Sequence, residues 1–163
     1  MEKEFTKNIN SHIGILHKIC NTYFFRNPNI EDYKQEILIR LWKAYPNFRN
    51  QSLFSTWMYR VALNSAIDII RKLCGQPLFT ELSNTELKMP IDEILTESDR
   101  KDRLYFAISQ LNDIEKAITL LYLDDYSYDE IAEIIGLSKS NVGVKISRIK
   151  KQLVIKLNSH EGK

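Results

Sequence analysis

Apolar residues recur every three or four positions over long stretches of this chain, and no clear run alternates at period two. That spacing lines one side of a helix with apolar groups, so the pattern predicts an all-α fold. It falls into three blocks. From about Lys3 to Lys72 the periodicity is helical. From Leu73 to Asp99, "LCGQPLFTELSNTELKMPIDEILTESD", it lapses around Gly75, Pro77 and Pro90. It resumes near Arg100 and lasts to about Leu157. A connection well beyond about 12–15 residues reads as a linker rather than an internal loop. Its acids (Glu81, Glu86, Asp92, Glu93, Glu97 and Asp99) outnumber its single base, Lys88. The organisation expected is two small helical domains, 1–72 and 100–163, joined by an acidic linker over 73–99.

The first helix is expected from near Lys3 to Phe25, burying Ile9, Ile13, Leu16 and Cys20. Pro28 in "RNPNIED" ends it, because proline cannot continue a helix comfortably. The next helix is expected from Glu31 to Tyr45, stopped by Pro46. At about 100° per residue, Ile37, Leu38, Leu41, Trp42, Ala44 and Tyr45 share one broad face. Asp32, Gln35, Glu36 and Lys43 gather on the other, with Ile39 in their midst. Single exposed apolar residues are common on soluble proteins. The alternative is a docking site, with Ile39 ringed by Asp32, Gln35, Glu36, Arg40 and Lys43.

Further on, "FRNQSLFSTWMYRVALNSAIDIIRK" turns from a polar loop into a helix. Met58, Tyr59, Ala62, Leu63, Ala66, Ile69 and Ile70 form its core face. Trp57, Arg60, Val61, Asn64, Asp68 and Arg71 lie opposite. Trp57 on that face reads either as packing on the first helix or as a stacking surface for a nucleobase. Base stacking on an aromatic ring contributes about 1–3 kcal/mol in single-strand binders. Arg60 and Arg71 suit phosphates, and Asn64 suits a base edge. The loop adds Arg49, Asn50, Gln51, Ser52 and Phe54, enough to cup a base pulled from the stack. With Asp68 the only nearby acid, the group as a whole points to single-stranded DNA.

The strongest local signal is "SYDEIAEIIGLSKSNVGVKISRIKKQLVIKL". Ser127 and Glu130 have capping-box spacing. Ile131, Ala132 and Ile135 face inward, Gly136 suits a left-handed stop, Leu137 plugs the core and Ser138 caps the next helix. Small Ala132 lets the two helices cross closely, which is the helix-turn-helix plan. The second helix has an inner stripe of Val142, Ile146, Ile149, Leu153 and Leu157. Ser140, Asn141, Val144, Ser147, Arg148 and Lys151 lie outward, flanked by Lys139, Lys145, Lys150 and Lys156. No acid occurs from Ser138 to Leu157. Short polar groups for base edges, a valine for a thymine methyl and bases for phosphates describe a major-groove reader. The plainer alternative is a basic helix that only solvates itself.

Composition adds boundaries. The chain has 163 residues, 44% hydrophobic and 27% charged, which allows one ordinary folded domain or two small ones. A net charge of +2 decides little; its distribution matters more. Two cysteines, Cys20 and Cys74, make neither a disulfide framework nor a four-ligand zinc site, and free thiols fit a reducing compartment. The N-terminus lacks an apolar signal core and no run reaches about 18 apolar residues, so a soluble cytoplasmic protein is expected. A nucleic-acid-processing enzyme is a poor fit: His12 and His17 are badly spaced for a shared metal, and there is no glycine-rich phosphate loop. Neither a cofactor nor a metal is expected. A polymerase-independent helix-turn-helix regulator would leave Trp57 and Ile39 without a purpose.

"EDYKQEILIRLWKAYPNFRNQSLFSTWMYRVALNSAIDIIRK" resembles the second conserved region of bacterial sigma factors. Among them it is most similar to the small extracytoplasmic-function (ECF) group. "LNDIEKAITLLYLDDYSYDEIAEIIGLSKSNVGVKISRIKKQL" resembles their fourth region. The resemblance implies a promoter-specificity subunit without covalent chemistry. It implies that the Asp32–Tyr45 helix docks on the β′ clamp helices of core RNA polymerase, with the β flap as a further contact. The loop and helix from Phe48 to Arg71 would open and read the −10 element, Asn64 lying where the family contacts a flipped base. The helix after Ser138 would read the −35 element. An anti-sigma factor, often membrane-anchored, is an implied partner. Three positions depart from the family pattern: Leu111-Asn112 replaces a frequent Leu-Pro, Asp125 a frequent glycine, and Gly143 a common basic or polar residue. Gly143 is therefore expected to weaken its helix or to let the backbone approach DNA.

Overall fold

A computed structural model describes residues 1–75 and 97–159. Eight α-helices account for most of these residues: α1 (Glu2–Ser11), α2 (Ile13–Tyr23), α3 (Ile30–Ala44), α4 (Phe54–Cys74), α5 (Glu97–Ser109), α6 (Asp113–Leu123), α7 (Tyr128–Ile135) and α8 (Lys139–Asn158). A 3-10 turn, Tyr45–Asn47, follows α3, with Pro46 inside it. No strand occurs among the described residues.

The expected first helix is two. It breaks at His12, whose backbone leaves helical geometry (φ −122°, ψ 15°) and whose N–H bonds back to the Ile9 carbonyl. The imidazole Nδ1 lies 2.9 Å from the Asn8 carbonyl. Asn8, Asn10, Ser11 and His12 form a run of weak helix formers, and a residue of this kind readily ends a helix by bonding to nearby backbone. The apolar positions on both sides still face the core, with Ile9, Leu16 and Cys20 buried. Burial pushes the Cys20 thiol up to about 11, so this sulfur stays protonated and unreactive.

α2, α3 and α4 pack around Leu16, Ile19, Ile37, Leu41, Met58 and Ala62, all inaccessible to solvent. The second group, α5 to α8, closes over Ile108, Ile118, Leu121, Ile131 and Val142. α6 opens with a capping box: the Asn112 side chain accepts from the Glu115 N–H, and the Glu115 carboxylate accepts from the Asn112 N–H. That geometry accounts for Asn112 at a place where a proline would also start a helix. Asp125, which follows α6, has φ +62°, the left-handed conformation in which a glycine would be free of Cβ strain.

The two groups are not held apart. α2 packs on α5 and α6, α4 touches α7, and the buried apolar residues of both groups form one continuous cluster. Of the expected linker over 73–99, Leu73 and Cys74 end α4 and Glu97 to Asp99 begin α5. Gly75 follows as the cap of α4, and residues 76–96 lie outside the described residues.

Candidate DNA and polymerase interfaces

The helix-turn-helix is built by local chemistry. Ser127 and Glu130 complete a second reciprocal capping box at the start of α7. Hydrogen bonds to Ser127 hold the Glu130 carboxyl below the usual range. Gly136 ends α7 at φ +80°, and the Ser138 hydroxyl then caps α8 by accepting from the Asn141 N–H. Val142, Ile146 and Ile149 point into the core. Ser140, Asn141, Val144, Ser147, Arg148 and Lys151 therefore form an exposed outer face, and Val144 is 50% accessible. Its flanks are more occupied. Lys139 pairs with Asp129 of α7 at 2.7 Å, Lys145 is half-buried, and the Lys150 ammonium lies 4.6 Å from the centre of the Tyr122 ring. Gly143 does not face outward: a Cβ there would meet the Tyr128 ring at 3.6 Å, inside the helix-turn-helix. Its role is to pass α7, which removes the expectation of a close backbone approach to DNA.

The second surface surrounds the start of α4. Phe48 and Phe54 flank a loop in which Arg49, Asn50, Gln51, Ser52 and Leu53 are exposed. Asn50 takes φ +54°, a conformation asparagine tolerates better than most residues. Trp57 is half-buried, and it does not stand alone. Its ring lies 5.1 Å from Phe48, 5.3 Å from Phe54 and 6.0 Å from Tyr45, within the range of attractive ring contacts. Tyr45 and Phe48 join this cluster although periodicity had placed Tyr45 only on the core face of α3. Beyond it along α4, Asn64 and Arg71 are exposed. Arg60 reaches Glu133 of α7 at 3.8 Å.

On α3, Asp32, Gln35, Glu36, Ile39 and Lys43 are all exposed, and Ile39 is 52% accessible. Trp42, one turn on, is also partly exposed, with its ring against Phe5 at 5.0 Å. It widens the apolar patch beyond Ile39 alone. Arg40 is drawn out of the ring of polar groups. Its guanidinium bonds Glu36 at 2.5 Å and crosses to Asp68 of α4 at 2.7 Å. Asp68 also meets Lys72 at 3.3 Å. The bond from Arg40 and then that from Lys72 hold the Asp68 carboxyl below its usual range. The acid that interrupted the basic character of α4 is thereby neutralised.

Among the described residues, no group of three histidine, cysteine or acidic side chains is arranged to hold a metal, and no helix is long and apolar enough to cross a membrane. A shallow apolar groove between α6 and α8, lined by Ile118, Tyr122, Leu123, Ile146 and Leu153, completes the surface features.

A capped helix-turn-helix with an acid-free outer face, beside a helix that begins in a cluster of rings, defines a DNA-binding transcription protein. Residues 9–73 match sigma-70 region 2 and residues 101–153 match sigma-70 region 4. Together these cover most of the chain, and it belongs to the sigma-70 family, in the ECF group. The ECF RNA polymerase sigma-E factor of Haemophilus influenzae is 27% identical over 168 residues, covering 96% of this chain and 88% of the relative. That of Escherichia coli K12 is 27% identical over 151 residues, covering 84% and 79%. Two solved structures share the fold. The sigma factor RpoE in complex with the anti-sigma factor NepR, from Bartonella quintana, superposes with TM-score 0.73 at 16% identity over 96% of this chain and 98% of that one. CnrH in complex with the cytosolic domain of CnrY gives TM-score 0.69 at 17% identity over 98% and 90%. The class carries its general function with it: promoter-directed initiation of transcription with RNA polymerase.

Proposed function

We propose that this chain is a promoter-specificity subunit whose exposed surfaces divide the work. α8 reads the −35 element in the duplex major groove through Lys139, Ser140, Asn141, Val144, Lys145, Ser147, Arg148 and Lys151. The loop and outer face of α4 open and hold the −10 element through Arg49, Asn50, Gln51, Ser52, Phe54, Trp57, Arg60, Asn64 and Arg71. Asp32, Gln35, Glu36, Ile39, Arg40 and Lys43 dock on the β′ clamp helices of core polymerase, Arg40 by bracing α3 on α4. The groove between α6 and α8 offers an apolar seat for the β flap. Segments 1–72 and 100–163 act as the two functional domains, with 73–99 as the connection. The chain works in the cytoplasm, where the polymerase is, and catalyses no covalent step.

The observation that carries this reading is the ring cluster at the head of α4, set beside exposed Asn50, Gln51 and Asn64. A duplex reader has no use for it. An opened strand does, because extruding a base costs a few kcal/mol and a ring offsets about 1–3 kcal/mol of that by stacking. An anti-sigma partner is proposed by likeness to the Bartonella quintana sigma factor, whose structure holds one. The test is in vitro transcription with added core polymerase on a library of templates. Defined start sites that need this chain support the reading. Specific duplex binding without initiation would convert it into a polymerase-independent regulator.

A further inference from the structure

α3 and α4 lie side by side, and four charged side chains alternate in sign across the line between them. Glu36 and Arg40 stand one turn apart on α3, and Asp68 and Lys72 stand one turn apart on α4. The Arg40 guanidinium uses its planar fork to serve both acids at once. Nη2 donates to Glu36 Oε1 at 2.5 Å and Nη1 donates to Asp68 Oδ2 at 2.7 Å. Lys72 Nζ approaches the same Asp68 oxygen at 3.3 Å. Two acids and two bases leave the group neutral as a whole. Arg40 is the least exposed of the four, with 27% of its side chain accessible against 47% for Glu36, 49% for Asp68 and 67% for Lys72. Asp68 stands on the face that the reading above gives to an opened strand. It follows Asn64 by one turn and precedes Arg71 by three residues, and both of these are exposed. A strand whose phosphates pass from Asn64 to Arg71 therefore runs past this carboxylate. The bond from Arg40, and then that from Lys72, keeps the Asp68 carboxyl below its usual range, so it is ionised at neutral pH. Without a partner it would repel each passing phosphate.

We propose that Arg40 is a positioning residue for strand capture: from the docking helix it holds the Asp68 carboxylate toward α3, so that α4 offers an opened strand no unbalanced negative charge. Arg40 belongs to the helix assigned to the polymerase, yet it acts on the DNA side of the molecule, through Asp68. Lys72 completes the balance from α4 itself. It is more exposed and farther from the carboxylate, so it cannot take over the whole of the task. The inference goes beyond a brace between two helices, and it rests on the assignment of α4 to the −10 strand.

Two substitutions that cut the same ion pair separate this role from that of a brace. Arg40→Gln leaves the group with one acid in excess, whereas Asp68→Asn leaves it with one base in excess. A brace would suffer alike from both, and from their combination. Charge placement predicts opposite outcomes. With the full chain and a fluorescent oligothymidine at low salt, Arg40→Gln should bind about two- to tenfold more weakly than wild type. Asp68→Asn should bind at least as tightly as wild type, and the double variant should return to within about twofold of it. The differences should shrink as salt rises to about 1 M, where screening confines charge effects to about 3 Å. Holoenzyme made with the chain in excess, so that core polymerase is saturated, should give the same order in permanganate reactivity of promoter thymines. Weaker binding by both single variants, or a double variant no better than Arg40→Gln, would overturn the proposal in favour of a brace. Arg40→Gln with wild-type oligonucleotide affinity and thymine reactivity would overturn it outright. A loss of core affinity in Arg40→Gln, unrestored by Asp68→Asn and with strand capture unchanged, would make Arg40 a polymerase contact instead. Failure of wild type to initiate anywhere with core polymerase counts against the sigma reading, and the order of the oligonucleotide affinities then still decides the role of Arg40.

Discussion

α4 and α8 are of nearly equal length, 21 and 20 residues, and each carries arginine on a polar face. They treat that face in opposite ways. The inner stripe of α8 is consumed within its own helix-turn-helix, and its outer face meets nothing but solvent. The outer face of α4 is engaged at intervals, Trp57 by rings, Arg60 by Glu133, and Asp68 by Arg40 and Lys72, while Asn64 and Arg71 stay exposed. Under the proposed assignment, the difference follows from what each face would bind. A duplex presents a fixed surface, so a rigid and ready helix suffices. A base in a duplex must first be extruded at a cost, and the site that receives it needs a sheltered apolar wall. Such a wall is unstable when bare in water, and here four rings shelter one another.

The comparison can be broken from the α4 side with the largest effect. Trp57→Ala removes a ring shared by three others. It should cost about 2–3 kcal/mol in denaturant unfolding, below the usual range for a fully buried aromatic because Trp57 keeps some exposure. Below its melting temperature the variant should still bind core polymerase, while permanganate reactivity of promoter thymines falls. Trp57→Phe should recover most of the stability and part of the reactivity. From the α8 side, Arg148→Ala should leave stability unchanged and weaken duplex binding by about 1–3 kcal/mol if the guanidinium contacts a base, or lower the salt slope by about one if it contacts a phosphate. Fluorescence anisotropy against salt distinguishes the two, and unchanged affinity at matched salt would remove Arg148 from the interface.

Smaller effects sharpen the contrast. Asn112→Ala deletes half of a capping box beside the seam between the groups, and should cost about 1 kcal/mol in thermal unfolding. Gly143→Ala should do the reverse. Its Cβ would meet Tyr128 at ordinary contact distance, and the gain in helix propensity is about 0.5–1 kcal/mol. Because the position faces α7, duplex affinity should stay within error. A loss of affinity would return Gly143 to the DNA surface.

What the sequence alone made legible was local. Ser127, Glu130, Gly136 and Ser138 specify their turns through bonds that span three or four residues, so the helix-turn-helix is readable as a string. The outer face of α8 follows from its inner stripe. The break at His12 escaped because the apolar period runs through it, and only the cluster of Asn8, Asn10 and Ser11 hints at it. Asn112 with Glu115 also has capping-box spacing, which a comparison with a family proline obscured. Asp124 and Glu133 were indistinguishable from solvent-facing acids. Their partners lie far away in sequence, with Lys18 and Asp124 106 positions apart, and no periodicity records such a pairing. The same holds for Arg40 with Asp68, where a residue expected to face the polymerase also braces two helices.

The most direct measurement is a single reaction that probes both surfaces at once: one promoter template, core polymerase with and without this chain, mapped for duplex protection and thymine reactivity. The account predicts that adding the chain protects an upstream duplex segment and makes thymines nearer the start site reactive, with both signals requiring core polymerase. Upstream protection that forms equally well without core polymerase, and with no reactive thymines in any template, would contradict it.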